Sequence, residues 1–211
     1  MTVPLEIKIC GMKFPGNLEE VCSLEPDYLG YIFFPGSPRF VGEEPDRALF
    51  TLSGRDITRV GVFVNATLEH LYRISDLDLV DVFQLHGSES ALYCRTLKER
   101  GLRIAKVFHP DEIGETDILS DYRSWIDFCL FDTPGAGFGG TGTKFNWEML
   151  GSLSGDLPFM LSGGIGPEDV ETLRELSHPG LFAVDVNSRF ESRPGMKDVE
   201  LLRRFIHGIR R

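Results

Sequence analysis

Eight short β-rich runs alternate with amphipathic helical runs along almost the whole chain, and no other feature restricts the possible folds as tightly. The strand-like runs are Leu5–Cys10, Tyr28–Phe33, Arg59–Val64, Asp81–Leu85, Arg103–Phe108, Ile126–Asp132, Pro158–Leu161 and Leu181–Val186. Helical periodicity lies between them at Asn17–Leu24, Glu44–Leu52, Leu68–Ile74, Glu89–Arg100, Asn146–Leu150, Pro167–Leu176 and Val199–Ile209. The stretch from Asp111 to Trp125 has the weakest pattern and reads as a poor helix or a loop. Strands that alternate with crossovers must pair in parallel. Eight of them in 211 residues point to a closed α/β architecture, a single (β/α)8 TIM barrel, rather than an open sheet. No linker or low-complexity segment divides the chain, so residues 1–211 are expected to form one catalytic domain.

Composition narrows the class of partner. Hydrophobic residues make up 42 % and charged residues 26 %, which suits a soluble globular chain. The net charge of −10 argues against nucleic acid, which calls for a basic stripe. It leaves room for a small anionic ligand, because a few cations and backbone N–H groups can hold a phosphate in an acidic protein. No apolar run approaches the roughly 18 residues of a membrane span, and Met1 to Lys8 lacks a secretory pattern. The four cysteines, Cys10, Cys22, Cys94 and Cys129, are scattered without zinc-finger spacing. The expected setting is the cytoplasm, with a small-molecule substrate, no nucleic-acid or membrane partner, and a monomeric or homodimeric state.

In a barrel of this kind the chemistry collects at the C-terminal ends of the strands. Those ends are polar here: Lys8-Ile9-Cys10-Gly11, Gln84-Leu85-His86-Gly87, Leu130-Phe131-Asp132-Thr133, Ser162-Gly163-Gly164 and Asp185-Val186-Asn187-Ser188. Cys10 differs from an ordinary buried thiol in its place at a strand end before Gly11. Lys8 shares its face, with Cα atoms about 6.6 Å apart, and a cation at that range favours the thiolate. Asp132 ends a strand across the barrel, and a thiol and a carboxyl facing one cavity make an acid/base pair. Gly163 and Gly164 after strand seven, with Asn187 and Ser188 after strand eight, suit a phosphate site. The glycine run Gly135–Gly140 matches G-x-G-x-x-G but does not lead directly into a helix. It reads as a lid. His86 and His109 could join Asp132 around a metal, but three different strands give no spacing signature. Arg39, beside Phe40 at the active face, can clamp a planar anion bidentately.

Together these segments resemble the phosphoribosylanthranilate isomerase family. The matching pieces are Lys8-Ile9-Cys10-Gly11-Met12, Tyr28–Phe33 with Ser37-Pro38-Arg39, Val60–Asn65, Phe83–Gly87, Leu130–Thr133 with Gly139–Gly142, Leu161–Ile165, and Val184–Ser188 with Pro194-Gly195-Met196-Lys197-Asp198. They follow family order over nearly the whole chain. The resemblance implies an Amadori rearrangement of N-phosphoribosyl anthranilate to an aminodeoxyribulose phosphate. It makes Cys10 the general base and Asp132 the general acid, and gives Arg39 the anthranilate carboxylate. Gly163, Gly164, Asn187 and Ser188 would surround the phosphate, and Gln84, His86 and Asp185 complete the substrate-binding set. It implies no metal and no organic cofactor. After strand eight many members read Ser-Ser-Gly-Val-Glu where this chain has Asn187-Ser188-Arg189-Phe190-Glu191, so Arg189 adds a charge there. A rival barrel, isomerising the histidine-pathway aminoaldose, is associated with Asp where Cys10 stands. A non-catalytic sugar-phosphate binder would explain the glycine loops but not the facing Cys and Asp.

Overall fold

The computed structural model describes residues 5–54, 56–109, 118–132, 147 and 157–211. Eight parallel strands close into one barrel in chain order. They are β1 (Glu6–Cys10), β2 (Tyr28–Ile32), β3 (Thr58–Phe63), β4 (Val82–Leu85), β5 (Ile104–Phe108), β6 (Phe128–Phe131), β7 (Phe159–Leu161) and β8 (Leu181–Val186). The barrel closes where Lys8 of β1 pairs in register with Asp185 of β8. Around it lie α1 (Pro15–Cys22), α2 (Ala48–Thr51), α3 (Leu68–Asp76), α4 (Ala91–Glu99), α5 (Ile118–Tyr122), α6 (Val170–Glu175) and α7 (Val199–Ile209). A small hairpin, β9 (Glu191–Arg193) and β10 (Met196–Lys197), follows β8.

Alternation along the strands sorts side chains into two cores. Val60, Val82, Ala105, Val107, Phe128, Leu130, Met160 and Ala183 fill the barrel interior. Ile7, Ile9, Leu29, Phe83, Leu85, Leu161 and Val184 face outward into the larger layer beneath the helices. The rings of Phe33, Phe63 and Phe83 stack there, with centroids 4.9 and 5.6 Å apart. On β1 the outward positions are isoleucine and the intervening ones are Glu6, Lys8 and Cys10, so the polar alternate face of this strand is the inner one.

Helix positions depart from the sequence reading where local chemistry intervenes. Only Ala48–Thr51 of the expected Glu44–Leu52 is α-helical. Pro45 disfavours helical backbone at Glu44, and the Asp46 carboxylate accepts the Ala48 N–H at the helix start. The segment after β7 begins as a 3-10 turn at Pro167–Asp169 before becoming α6. Of the ambiguous stretch between β5 and β6, Ile118–Tyr122 is helical. The expected helix at Asn146–Leu150, apart from Trp147, and the glycine lid at 135–142 lie outside the described residues.

A repeated clamp braces the bottom of the barrel. Asp27, Asp81 and Asp127 stand just before β2, β4 and β6. Each carboxylate accepts the N–H of a residue near the start of the preceding strand: Ile7 at 2.8 Å, Arg59 at 2.8 Å and Ile104 at 2.7 Å. Each Asp returns its own N–H to that same residue's carbonyl. At the fourth equivalent place, before β8, Gly180 stands instead. In the β3–β4 clamp, burial opposes the Asp81 charge, yet hydrogen bonds from Arg59 hold the carboxyl below its ordinary pKa. Asp81→Ala should therefore cost about 1 kcal/mol in urea unfolding at neutral pH. The sign for a depressed carboxyl is fixed: its contribution is full above the unfolded value and fades as pH falls through the folded one. The gap between wild type and Asp81→Ala should narrow on acidification, and a gap independent of pH would refute this account.

Candidate active site

Cys10 ends β1 facing inward, and the space for its sulfur comes from β2. A Cβ placed on Gly30 would lie 2.7 Å from Cys10 Sγ, so any side chain there would displace the thiol. Lys8, on the same face, is completely buried. Its ammonium donates to Gln84 Oε1 at 2.9 Å and to Asp185 Oδ2 at 2.8 Å. Burial opposes its charge, but Asp185 and Cys10 hold its pKa above the ordinary value. Asp185 Oδ1 is buried with no hydrogen-bond partner among the described residues.

Lys8 favours the Cys10 thiolate, as its nearness in the sequence suggests, but burial outweighs it. Burial pushes the thiol up; Lys8 and Lys197 pull it down without overcoming burial, and Asp185 adds to the rise. The ammonium of Lys8 serves two anions, the Asp185 carboxylate at 2.8 Å and the Cys10 sulfur.

Asp132 follows β6 immediately, 8 % exposed, with its N–H on Phe108 O at 3.1 Å. Its Oδ2 lies 3.2 Å from His86 Nε2, which comes from the end of β4. Both groups bear on Asp185: Asp132 pushes that carboxyl's pKa up and His86 pulls it down, behind the larger effects of burial and Lys8. The mouth thus joins Cys10 and Lys8 of β1, Gln84 of β4, His86 just after it, Asp132 after β6 and Asp185 of β8. His109 approaches Asp132 through the backbone, its Nδ1 3.1 Å from the carbonyl oxygen. Among the described residues no three His, Cys, Asp or Glu side chains converge as a metal site.

Arg39, in the loop after β2, is 8 % exposed and already holds a carboxylate. Its Nε lies 3.0 Å from both oxygens of Glu191, and Nη2 lies 2.6 Å from Oε2. Glu191 Oε1 also accepts from Lys197 Nζ at 2.8 Å and from the Gly195 N–H at 3.0 Å. Burial opposes the Glu191 charge, but Arg39 and Lys197 hold its pKa below the usual carboxylate value. Lys197 is pinned by α1: Asn17 Nδ2 donates to its carbonyl at 3.0 Å, and its N–H donates to Asn17 Oδ1 at 2.7 Å. Lys197 Nζ donates to Asn187 Oδ1 at 2.9 Å. Gly11, at φ +83°, lets this cluster close; a Cβ there would come within 2.6 Å of Arg39 Cδ and 2.9 Å of Asn187 Oδ1. Sequence reasoning assigned no role to Lys197 or Glu191. The available signal was the segment Pro194–Asp198, which matched the family without suggesting a contact.

The two remaining rim loops have the expected punctuation. Gly163 and Gly164 both have positive φ, +93° and +66°, a conformation that glycine adopts without the strain a side chain would bring. Ser188 begins a 3-10 turn, Ser188–Phe190, directly after Asn187. Arg189 does not add free charge: it bonds Glu168 at 2.8 Å and links this loop to the one after β7.

The family model for N-(5'-phosphoribosyl)anthranilate (PRA) isomerase matches residues 7–208. The N-(5'-phosphoribosyl)anthranilate isomerase of Parabacteroides distasonis is 41 % identical over 204 residues, covering 96 % of this chain and 92 % of that protein. The crystal structure of phosphoribosyl anthranilate isomerase from Thermotoga maritima superposes with a TM-score of 0.82 at 29 % identity, covering 97 % of this chain and 98 % of that one. A solved complex of the same enzyme type with reduced 1-(o-carboxyphenylamino)-1-deoxyribulose 5-phosphate superposes with a TM-score of 0.79 at 28 % identity, with the same coverage.

Proposed function

The chain belongs to the N-(5'-phosphoribosyl)anthranilate isomerase family, and its reaction is the aldose–ketose isomerisation of that substrate in tryptophan biosynthesis; from this premise we propose how its own residues divide the work. Asp132 delivers a proton to the ribose ring oxygen, and the ring opens to a Schiff base. Cys10 then takes the C2′ proton, giving an enolamine that tautomerises to the ketone. Atoms balance within the substrate, and the enzyme is returned to its starting protonation once Cys10 gives up the proton and Asp132 regains one. The observation that carries this reading is the meeting at one mouth of Cys10 and Asp132, linked through Lys8 and Asp185.

The other contacts follow from what each group has left to offer. Glu191 occupies the Nε–Nη2 side of the Arg39 fork, so Nη1 and the second N–H of Nη2 are the donors for the anthranilate carboxylate. Asp185 Oδ1, buried and unbonded among the described residues, is an acceptor for a substrate hydroxyl, beside Gln84 and His86. Backbone N–H groups around Gly163, Gly164 and Ser188, with Asn187, receive the phosphate. The substrate is a small molecule. No helix among the described residues is long and apolar enough to cross a membrane. A dimeric relative is known from Thermotoga maritima; for this chain we propose a monomer or homodimer in the cytoplasm, with residues 1–211 as one domain. Mixing the protein with freshly generated phosphoribosylanthranilate should extinguish the substrate's fluorescence as product forms. Fluorescence that decays no faster than without protein would overturn the reading.

A further inference from the structure

The backbone from Leu85 to Ser88, at the end of β4, is held by polar groups that the proposed reaction does not use, two of them, Glu89 and Lys106, buried. The His86 N–H donates to Phe63 O at 2.8 Å. The Gly87 N–H donates to the two Glu89 oxygens at 3.2 and 3.0 Å. The Ser88 N–H donates to Asn65 Oδ1 at 2.8 Å. Lys106 Nζ donates to Gly87 O at 2.8 Å and to Val107 O at 2.9 Å, and reaches Leu85 O at 3.5 Å. Glu89 also accepts the Asn65 N–H at 2.8 Å, and its Oε2 lies 3.4 Å from Lys106 Nζ. Asn65 itself adopts φ +48°, and a Cβ on Gly87 would collide with its Oδ1. Both charged side chains are almost wholly buried, Lys106 at 5 % and Glu89 at 2 %.

A buried ion pair is a poor source of stability, because desolvation offsets the attraction. What this one secures is geometry. Three consecutive peptide units are immobilised, and they flank the residue whose ring meets the Asp132 carboxyl. Among the described residues Glu89 and Lys106 make no hydrogen bond to any proposed substrate-contacting side chain. Asp185 and Lys8 face the same mouth from β8 and β1, with Lys8 also bonded to Gln84 of β4. We propose that Glu89, with Lys106 and Asn65, positions His86 and through it the carboxyl of Asp132. The inference rests on reading Asp132 as the general acid.

The test is a double-mutant cycle in the full chain, with turnover of phosphoribosylanthranilate as the readout. Glu89→Gln should lower kcat by about tenfold to a hundredfold, the scale of a small misplacement of a reacting group, with KM almost unchanged. In a His86→Gln background the same change should cost less than about twofold more, because the group being positioned is gone. Asn65→Ala leaves the ion pair in place and should show the same pattern more weakly; it decides the matter if Glu89→Gln does not fold. Unchanged kcat in both variants, a loss confined to KM, or an undiminished loss in the His86→Gln background would overturn the proposal. Asp132→Asn, assayed alongside, separates the two readings: full turnover there would sink the general-acid assignment, whereas the cycle between positions 89 and 86 reports on positioning by itself.

Discussion

Cys10→Ser is expected to lower kcat by about 10²–10⁴-fold, the usual contribution of a positioned general base. Serine preserves shape, hydrogen bonding and the fit against Gly30, whose absent Cβ leaves the sulfur its space. What it loses is acidity. Even the thiol is disfavoured as an anion here, since burial outweighs Lys8 and Lys197. The Schiff base acidifies the C2′ proton, which lowers the basicity that Cys10 must supply. A hydroxyl in the same place, starting from a far higher pKa, would form almost no anion. The variant should be indistinguishable from wild type by circular dichroism. Near-normal turnover in a folded Cys10→Ser protein would return Cys10 to a packing role and require another base.

Asp132→Asn should cause a loss of the same order, for the opposite reason. The amide keeps the carboxyl's shape and can still meet His86 Nε2, but it has no acidic proton to give the ring oxygen. Stability should move the other way. Asp132 raises the pKa of Asp185, the mark of two carboxyls repelling across the mouth. Removing one charge relieves that repulsion, so the variant should unfold at the same or a higher urea concentration. Loss of activity without loss of stability would separate chemistry from folding. The double variant Cys10→Ser/Asp132→Asn should lose less than the product of the single losses, since both groups serve one reaction path. Residual activity near wild type in Asp132→Asn would disprove the acid assignment. A marked fall in its unfolding midpoint would disprove the repulsion.

The barrel was legible in the sequence because its signals are local. Alternation within four to six residues decides which side of a strand meets water-free surroundings, and the observed β8, Leu181–Val186, has the bounds that alternation suggests. The α7 bounds, Val199–Ile209, likewise follow from an apolar stripe behind the capping Asp198. Where a local rule competed, the pattern misled: Pro45 and Asp46 shortened α2 to Ala48–Thr51. Strand ends also told where polar residues would gather, so Cys10, Gln84, His86, Asp132 and Asp185 could be named in advance as neighbours of one mouth.

Charge states and pairings were not legible, because they depend on neighbours remote in the chain. Lys8 looked like a cation for Cys10 two residues away, and nothing in the chain announced that it also pairs with Asp185, 177 residues on. Arg39 looked free for a substrate, yet Glu191, 152 residues away, takes one side of its fork. Nothing near Asn17 or Lys197 in the chain announces that they bind each other across 180 residues. The sequence by itself determined the strand order, the closed barrel and the family. Tertiary structure alone decided which carboxylate neutralises which cation and how far each is desolvated. Backbone pattern is settled by hydrophobic burial, which each short segment expresses on its own. Electrostatics is settled by distance and dielectric, and both exist only once the barrel has closed.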